Sequence, residues 1–326
     1  MRLLIVRLSA MGDVIHALPL AANAAAAGET VGWVVERAFA GLLESNPHCA
    51  RLFVADTRAW RRRPFSRDTL GGIRALRNAL RAFAPDRTVD VQGLWRSAVI
   101  ARMAGAPVAG FAAGERREAA SALLCGIPVT PSRGARHVVD RNLALLCAVG
   151  IPATTRAPDA AYLLARPSPG ADAFLATVPG PFAVLHPGAG RQEKVWGEER
   201  LARLGAALAE RRGVHPVISW GPGDEARAER HAALLPRASR PPLLDFPGLA
   251  RLYAASCLFV GGDTGPLHLA DALGVPTLAL FGPTDPGRNG PYRNRRGIVG
   301  QMQAAADEQV LGLAEKLMSR PLTLGP

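Results

Sequence analysis

The chain has 326 residues, 48% hydrophobic and 20% charged, which is enough for two globular domains with a core each. Its net charge of +12 rests on 39 Lys and Arg, mostly Arg, and fits an anionic substrate, a membrane surface or nucleic acid as partner. No apolar run approaches the roughly 20 residues with which a helix crosses a bilayer, and no nucleic-acid-binding module is recognisable, so neither a membrane-spanning helix nor a nucleic-acid partner is expected.

The first residues, Met1–Val6, enter a strand-like run at once without a signal-peptide cleavage pattern, so a cytoplasmic protein is expected. Strand-like runs at Leu3–Val6, Val31–Val35, Arg51–Val54, Thr88–Val91 and Val108–Phe111 alternate with helical segments near 12–27, 37–44, 70–84, 95–104 and 136–149. Pro19 should kink or reset the first of these helices. This alternation predicts a parallel sheet covered on both faces. A second series starts at Phe182–His186. It continues through a helix at 198–211, a strand at Pro216–Ser219, helices at 224–235 and 248–255, a strand before Asp263 and another at Thr277–Phe281. Between the series lie Arg166-Pro167-Ser168-Pro169-Gly170 and Pro179-Gly180-Pro181, which break both helix and strand. The expected domains are therefore 1–170 and 171–326, with an amphipathic last helix near 303–318 that could pack back on the junction. The four cysteines are far apart, lack zinc spacing and are expected to be buried free thiols.

Chemistry is expected in the loops that follow strands. After the first strand, Asp13 falls in the first turn of a helix, where it is either a general base or a carboxylate favoured by the helix dipole. Trp60-Arg61-Arg62-Arg63-Pro64-Phe65 reads as a basic-aromatic loop, either a solvated face or a grip on an anionic head group near a membrane. The run from His186 to Trp196 holds Gly188, Gly190, Arg191 and Lys194, suited to a phosphate but without P-loop spacing. Asp224 and Glu225 follow the next strand as a ribose contact or a helix cap. In Val260–Ala270 a strand breaks at Gly261-Gly262 into Asp263-Thr264-Gly265 and a helix carrying His268, so free amides and the dipole's positive end would face a phosphate.

Taken together, Ser9–Pro19, Asp90–Leu94, Lys194-Val195-Trp196, Asp263–His268 and Phe281–Pro286 resemble the ADP-heptose:lipopolysaccharide heptosyltransferases of glycosyltransferase family nine, over about residues 1–300. The first-strand loop, the Gln92-Gly93-Leu94 segment and the basic Trp60–Arg63 loop are similar to members that add the first heptose to the Kdo of Kdo2-lipid A. The resemblance implies an α/β protein of GT-B fold, two Rossmann-like doubly wound domains facing a central cleft, with acceptor bound by the first and nucleotide sugar by the second. It implies an inverting, metal-independent transfer without cofactor, with Asp13 as catalytic base. Lys194, Glu225, Asp263, Thr264, Gly265, His268, Gly188 and Gly190 would bind the donor, and Ser9, Gly12, Arg61, Arg62, Arg63 and Gln92 the acceptor. A cytoplasmic monomer, peripheral on the inner membrane and without nucleic acid, is the implied state. The alternatives are another transferase of the family, one using a different nucleotide sugar, a GT-B-fold epimerase, and a nucleotide-sugar-binding protein without catalysis. Arg7 stands where the family has a lysine, and Gly188-Ala189-Gly190 where the best-known members have a Thr-Thr pair. Backbone amides would have to replace those hydroxyl contacts.

Overall fold

Continuous apolar runs, buried on both faces, become the strands of two parallel sheets in the computed structural model, which describes residues 1–188, 193 and 195–319. The chain divides into two units, Met1–Pro158 and Asp159–Pro326. The first contains β1 (Arg2–Val6), β2 (Thr30–Glu36), β3 (Arg51–Ala55), β4 (Arg87–Asp90), β5 (Val108–Phe111) and β6 (Ile127–Val129), in the order β3-β2-β1-β4-β5-β6. The second contains β7 (Phe182–His186), β8 (His215–Ile218), β9 (Leu258–Gly262), β10 (Thr277–Leu280) and β11 (Ile298–Val299), in the order β11-β10-β9-β7-β8.

Each order reverses direction once, between β1 and β4 and between β7 and β9. The crevice beyond the strand ends at such a reversal is where doubly wound sheets hold ligands. Val6 pairs with Asp90, which puts the loops after β1 and β4 side by side. His186 pairs with Gly261, which does the same for the loops after β7 and β9.

In the first unit, Leu4, Val6, Val34, Phe53, Leu76, Leu80 and Phe83 share one core cluster. The helix Arg67–Phe83 starts where the Ser66 hydroxyl accepts the Thr69 N–H, and buries Thr69, Leu76, Leu80 and Phe83. The predicted helix at 12–27 is two helices, Met11–Ile15 and Leu18–Ala26, because Pro19 fits the first turn of a new helix and not the interior of an old one. The segment at 37–44 is a tighter turn, a 3₁₀ helix over Arg37–Leu42. Arg61 and Arg62 do not lie in a loop: Thr57–Arg62 is a helix capped by Asp56 and anchored by the buried Glu36, which accepts from the Thr57 hydroxyl and the Arg58 N–H. Trp60 turns inward against the core cluster and so does not flank those arginines at the surface.

The second unit begins before the predicted breaker, since the segments Ala161–Ala165 and Pro169–Leu175 pack on the helix Phe246–Ala254. The last helix spans Asp307–Met318 and seats Val310, Leu311 and Ala314 in this unit's own core with Leu258, Val260 and Leu278. Arg200 ties its start down through Asp307. The cysteines are not all buried: Cys147 is exposed and Cys49, Cys125 and Cys257 are half-buried thiols. No helix of the described residues is long and apolar enough to cross a membrane.

Candidate functional site

At the reversal point of the first sheet, four predicted residues meet over loops far apart in sequence. Arg7, buried at the end of β1, donates to the Val91 carbonyl at 2.9 Å and pairs with Asp13 Oδ2 at 2.6 Å. The same Oδ2 accepts the Ala10 N–H at 3.2 Å, while the Asp13 side chain stays 43% exposed. Among the described residues nothing donates to Oδ1, so one carboxylate oxygen is held and the other faces outward. Gln92 accepts the Leu8 N–H at 2.8 Å and donates to the Ser9 hydroxyl at 3.4 Å, which Arg96 also reaches at 3.1 Å. Gly12 is buried inside the helix Met11–Ile15, and Gly93 has φ of +66°, a turn that suits a residue without Cβ. Arg61, Arg62 and Arg63 are exposed after β3, at the same C-terminal edge of the sheet, and no described carboxylate pairs with them.

Behind this loop lies a group that sequence reading missed. Asp90 Oδ1 accepts the N–H groups of Gln92 and Gly93, at 3.2 and 3.3 Å, and Oδ2 meets the Arg116 guanidinium at 3.2 Å, with both side chains fully buried. Arg116 also donates to the Phe111 carbonyl and to the Ser121 hydroxyl. Burial pushes the Asp90 carboxyl up, and Ser97, Arg116 and the two loop amides pull it back. The only sequence sign of this was an acid at a strand end.

At the reversal point of the second sheet, His186 closes β7, and its Nδ1 lies 3.0 Å from the Ser219 hydroxyl and 3.1 Å from its carbonyl. Full burial lowers its pKa to about 4, so the ring is neutral near pH 7. A Cβ on Gly188 would come within 2.6 Å of Asp224 Oδ2 and 3.0 Å of His186 Nε2, so the absent side chain makes room for both. Of the two adjacent acids it is therefore Asp224, not Glu225, that turns toward the β7 loop. Asp224 caps nothing with its side chain, and burial raises its pKa. Glu225 is exposed in the first turn of its helix. Arg227, another residue that sequence reading passed over, reaches the Pro187 carbonyl at 3.5 Å. A pocket lined by His186, Gly188, Trp196, Glu198, Gly261 and Gly262 opens between these loops. Trp196 fixes its far side, donating to the Met302 carbonyl at 2.9 Å under the Arg200 guanidinium. Lys194 and Gly190 lie outside the described residues.

The turn after β9 completes this edge. The Thr264 hydroxyl donates to the Gly262 carbonyl at 3.3 Å, so no side chain caps the helix Gly265–Ala272 and its first amides point outward. That arrangement fits an anion better than the plain capping turn that Asp and Thr also suggest. His268, one turn in, has Nε2 3.3 Å from Asp263 Oδ1, and both side chains are nearly buried. No three His, Cys, Asp or Glu side chains of the described residues stand together as metal ligands would.

Neutral burial of His186 has a measurable consequence. Its pKa is about 4 folded and 6.5 free, so between those values the unfolded chain binds the extra proton and stability falls with pH, by about 3 kcal/mol from this residue. Burial shifts His231 and His215 the same way. Urea denaturation at pH 7 and pH 4 should show the loss, and His186→Asn should shrink it. An equal loss in the variant would remove His186 as its source.

The family described as glycosyltransferase family 9 (heptosyltransferase) matches residues 73–317. Lipopolysaccharide heptosyltransferase 1 of Pseudomonas aeruginosa is 35% identical over 90% of this chain and 81% of its own length. The solved E. coli heptosyltransferase WaaC with ADP superposes with a TM-score of 0.83 at 31% identity, covering 97% of this chain and all of the other. The same enzyme with ADP-2-deoxy-2-fluoro heptose gives 0.79 at 30% identity, covering 97% of this chain and 99% of the other. The two doubly wound units and this match make the fold GT-B.

Proposed function

Because the chain belongs to glycosyltransferase family 9, we propose that it moves heptose from ADP-heptose to a Kdo hydroxyl of Kdo2-lipid A, with inversion, in lipopolysaccharide inner-core synthesis. The observation that carries the reading is Asp13: one carboxylate oxygen is pinned by Arg7 and the Ala10 amide, and the other faces out at the edge where a doubly wound sheet binds ligand.

The attacking hydroxyl must lose a proton as its bond to the anomeric carbon forms, and Asp13 accepts it. The transition state is oxocarbenium-like, and the ADP leaves with growing negative charge. The uncapped amides at Gly265, the His268 ring oriented by Asp263, and Lys194 hold that charge, and no metal ion takes part. Thr264, Gly188 and Gly190 let the donor's phosphates approach the backbone. Asp224 or its neighbour Glu225 receives the ribose hydroxyls, and Asp224 is the better placed against the β7 loop. Ser9, Gly12 and Gln92 line the acceptor side, and Arg61, Arg62 and Arg63 pair with its phosphates and carboxylates. The protein works as a cytoplasmic monomer, peripheral on the inner membrane.

Incubation with both substrates should yield a lipid one heptose heavier. A lipid of unchanged mass, with ADP-heptose bound, would reduce the protein to a nucleotide-sugar binder. Replacing Arg61, Arg62 and Arg63 together with Ala should raise the acceptor KM at least tenfold and leave the donor KM near its starting value. Equal shifts in both would return these arginines to a solvated face.

A further inference from the structure

The helix Arg67–Phe83 has an outer face that the transfer reaction leaves unused. Its inner face carries Thr69, Leu76, Leu80 and Phe83 into the core. Leu70, Arg74, Arg77 and Arg81 recur at i, i+4, i+7 and i+11 on the opposite side, and all four are exposed. At the tip, Phe65 is 91% exposed and Leu70 is 56% exposed. These two occupy the positions either side of a helix start that usually pack together as a hydrophobic staple, so their exposure leaves a large apolar pair in solvent. Around them, residues 57–83 contain eight arginines against one acid, Asp68, and no described carboxylate pairs with any of the eight. An apolar tip set in a one-signed basic face suits a protein surface resting on an anionic bilayer, where arginines meet the negative head groups and a few apolar side chains enter between them.

We infer that this face docks the first unit on an anionic bilayer, with Phe65 and Leu70 inserted among the head groups and Arg74, Arg77 and Arg81 against their phosphates. The inference deepens the proposed function, resting on its reading of the acceptor as a membrane lipid. The bilayer contact itself needs no acceptor. Each arginine near an anionic surface contributes roughly a fivefold gain in partitioning, or about 1 kcal/mol.

The test is co-sedimentation with vesicles lacking acceptor, of phosphatidylcholine alone or mixed with phosphatidylglycerol. The full chain should bind the mixed vesicles and not the neutral ones. R74Q/R77Q/R81Q should weaken binding at least tenfold and F65S/L70S at least fivefold, with unchanged circular dichroism. Both variants should transfer heptose to a water-soluble, deacylated acceptor at the original kcat/KM. Unaltered binding by both variants would overturn the inference, as would binding only to vesicles that contain the acceptor lipid. Vesicle binding that follows the prediction without any heptose transfer would count against the transferase reading alone.

Discussion

Replacing Asp13 with alanine is expected to lower kcat for heptose transfer by at least about 10²–10⁴, the usual worth of a general base. ADP-heptose should still bind with its original affinity. The donor residues lie on the loops after β7, β8 and β9, whereas Asp13 follows β1. The change also leaves Arg7 buried with only the Val91 carbonyl as partner, so some stability is lost with the carboxylate. Asp13→Asn separates the two effects, since it keeps the shape and the contact with the Ala10 amide but cannot take a proton. Both variants should therefore be inactive and Asn the more stable, with donor binding followed by calorimetry. Near-normal turnover in a folded variant would remove Asp13 from the mechanism.

A comparable loss, read in stability, is expected at the buried pair beneath the same loop. Asp90→Asn or Arg116→Met should each cost about 3–5 kcal/mol in urea denaturation, because each leaves the other group buried without its partner. The double variant Asp90→Asn with Arg116→Met should cost less than the sum of the two, as the charge mismatch is gone. It should still transfer heptose slowly. Asp90 is also the acceptor for the Gln92 and Gly93 amides, and Gln92 in turn holds Leu8 and Ser9. The expected signature is a fall in kcat together with a raised acceptor KM. Single variants costing under about 1 kcal/mol would show that the pair is not a support of the site.

The strands and the loops that bear chemistry were legible because parallel strands buried on both faces read as unbroken apolar runs, and chemistry collects where those runs stop. β6 and β11 escaped because Ile127–Val129 contains a proline and Ile298–Val299 is only two residues long, too short to show a period. The helix Thr57–Arg62 escaped because its residues show no apolar stripe, and the buried Glu36, distant in sequence, anchors it. Arg116 was illegible for a similar reason. It lies 26 residues from Asp90 in an irregular segment, and one arginine among so many carries no mark of burial. Adjacent acids such as Asp224 and Glu225 have the same local sequence context. Their difference arises only when the missing Cβ of Gly188 leaves space for one of them.

The central claim is heptosyl transfer that requires both substrates, and release of ADP measures it most directly. The protein is incubated with ADP-heptose and Kdo2-lipid A in the presence of a metal chelator, and each substrate is omitted in turn. ADP is predicted to appear only when both are present, at a rate that the chelator does not change and that Asp13→Ala abolishes. ADP released from the donor alone, or no ADP with both substrates present, would contradict it.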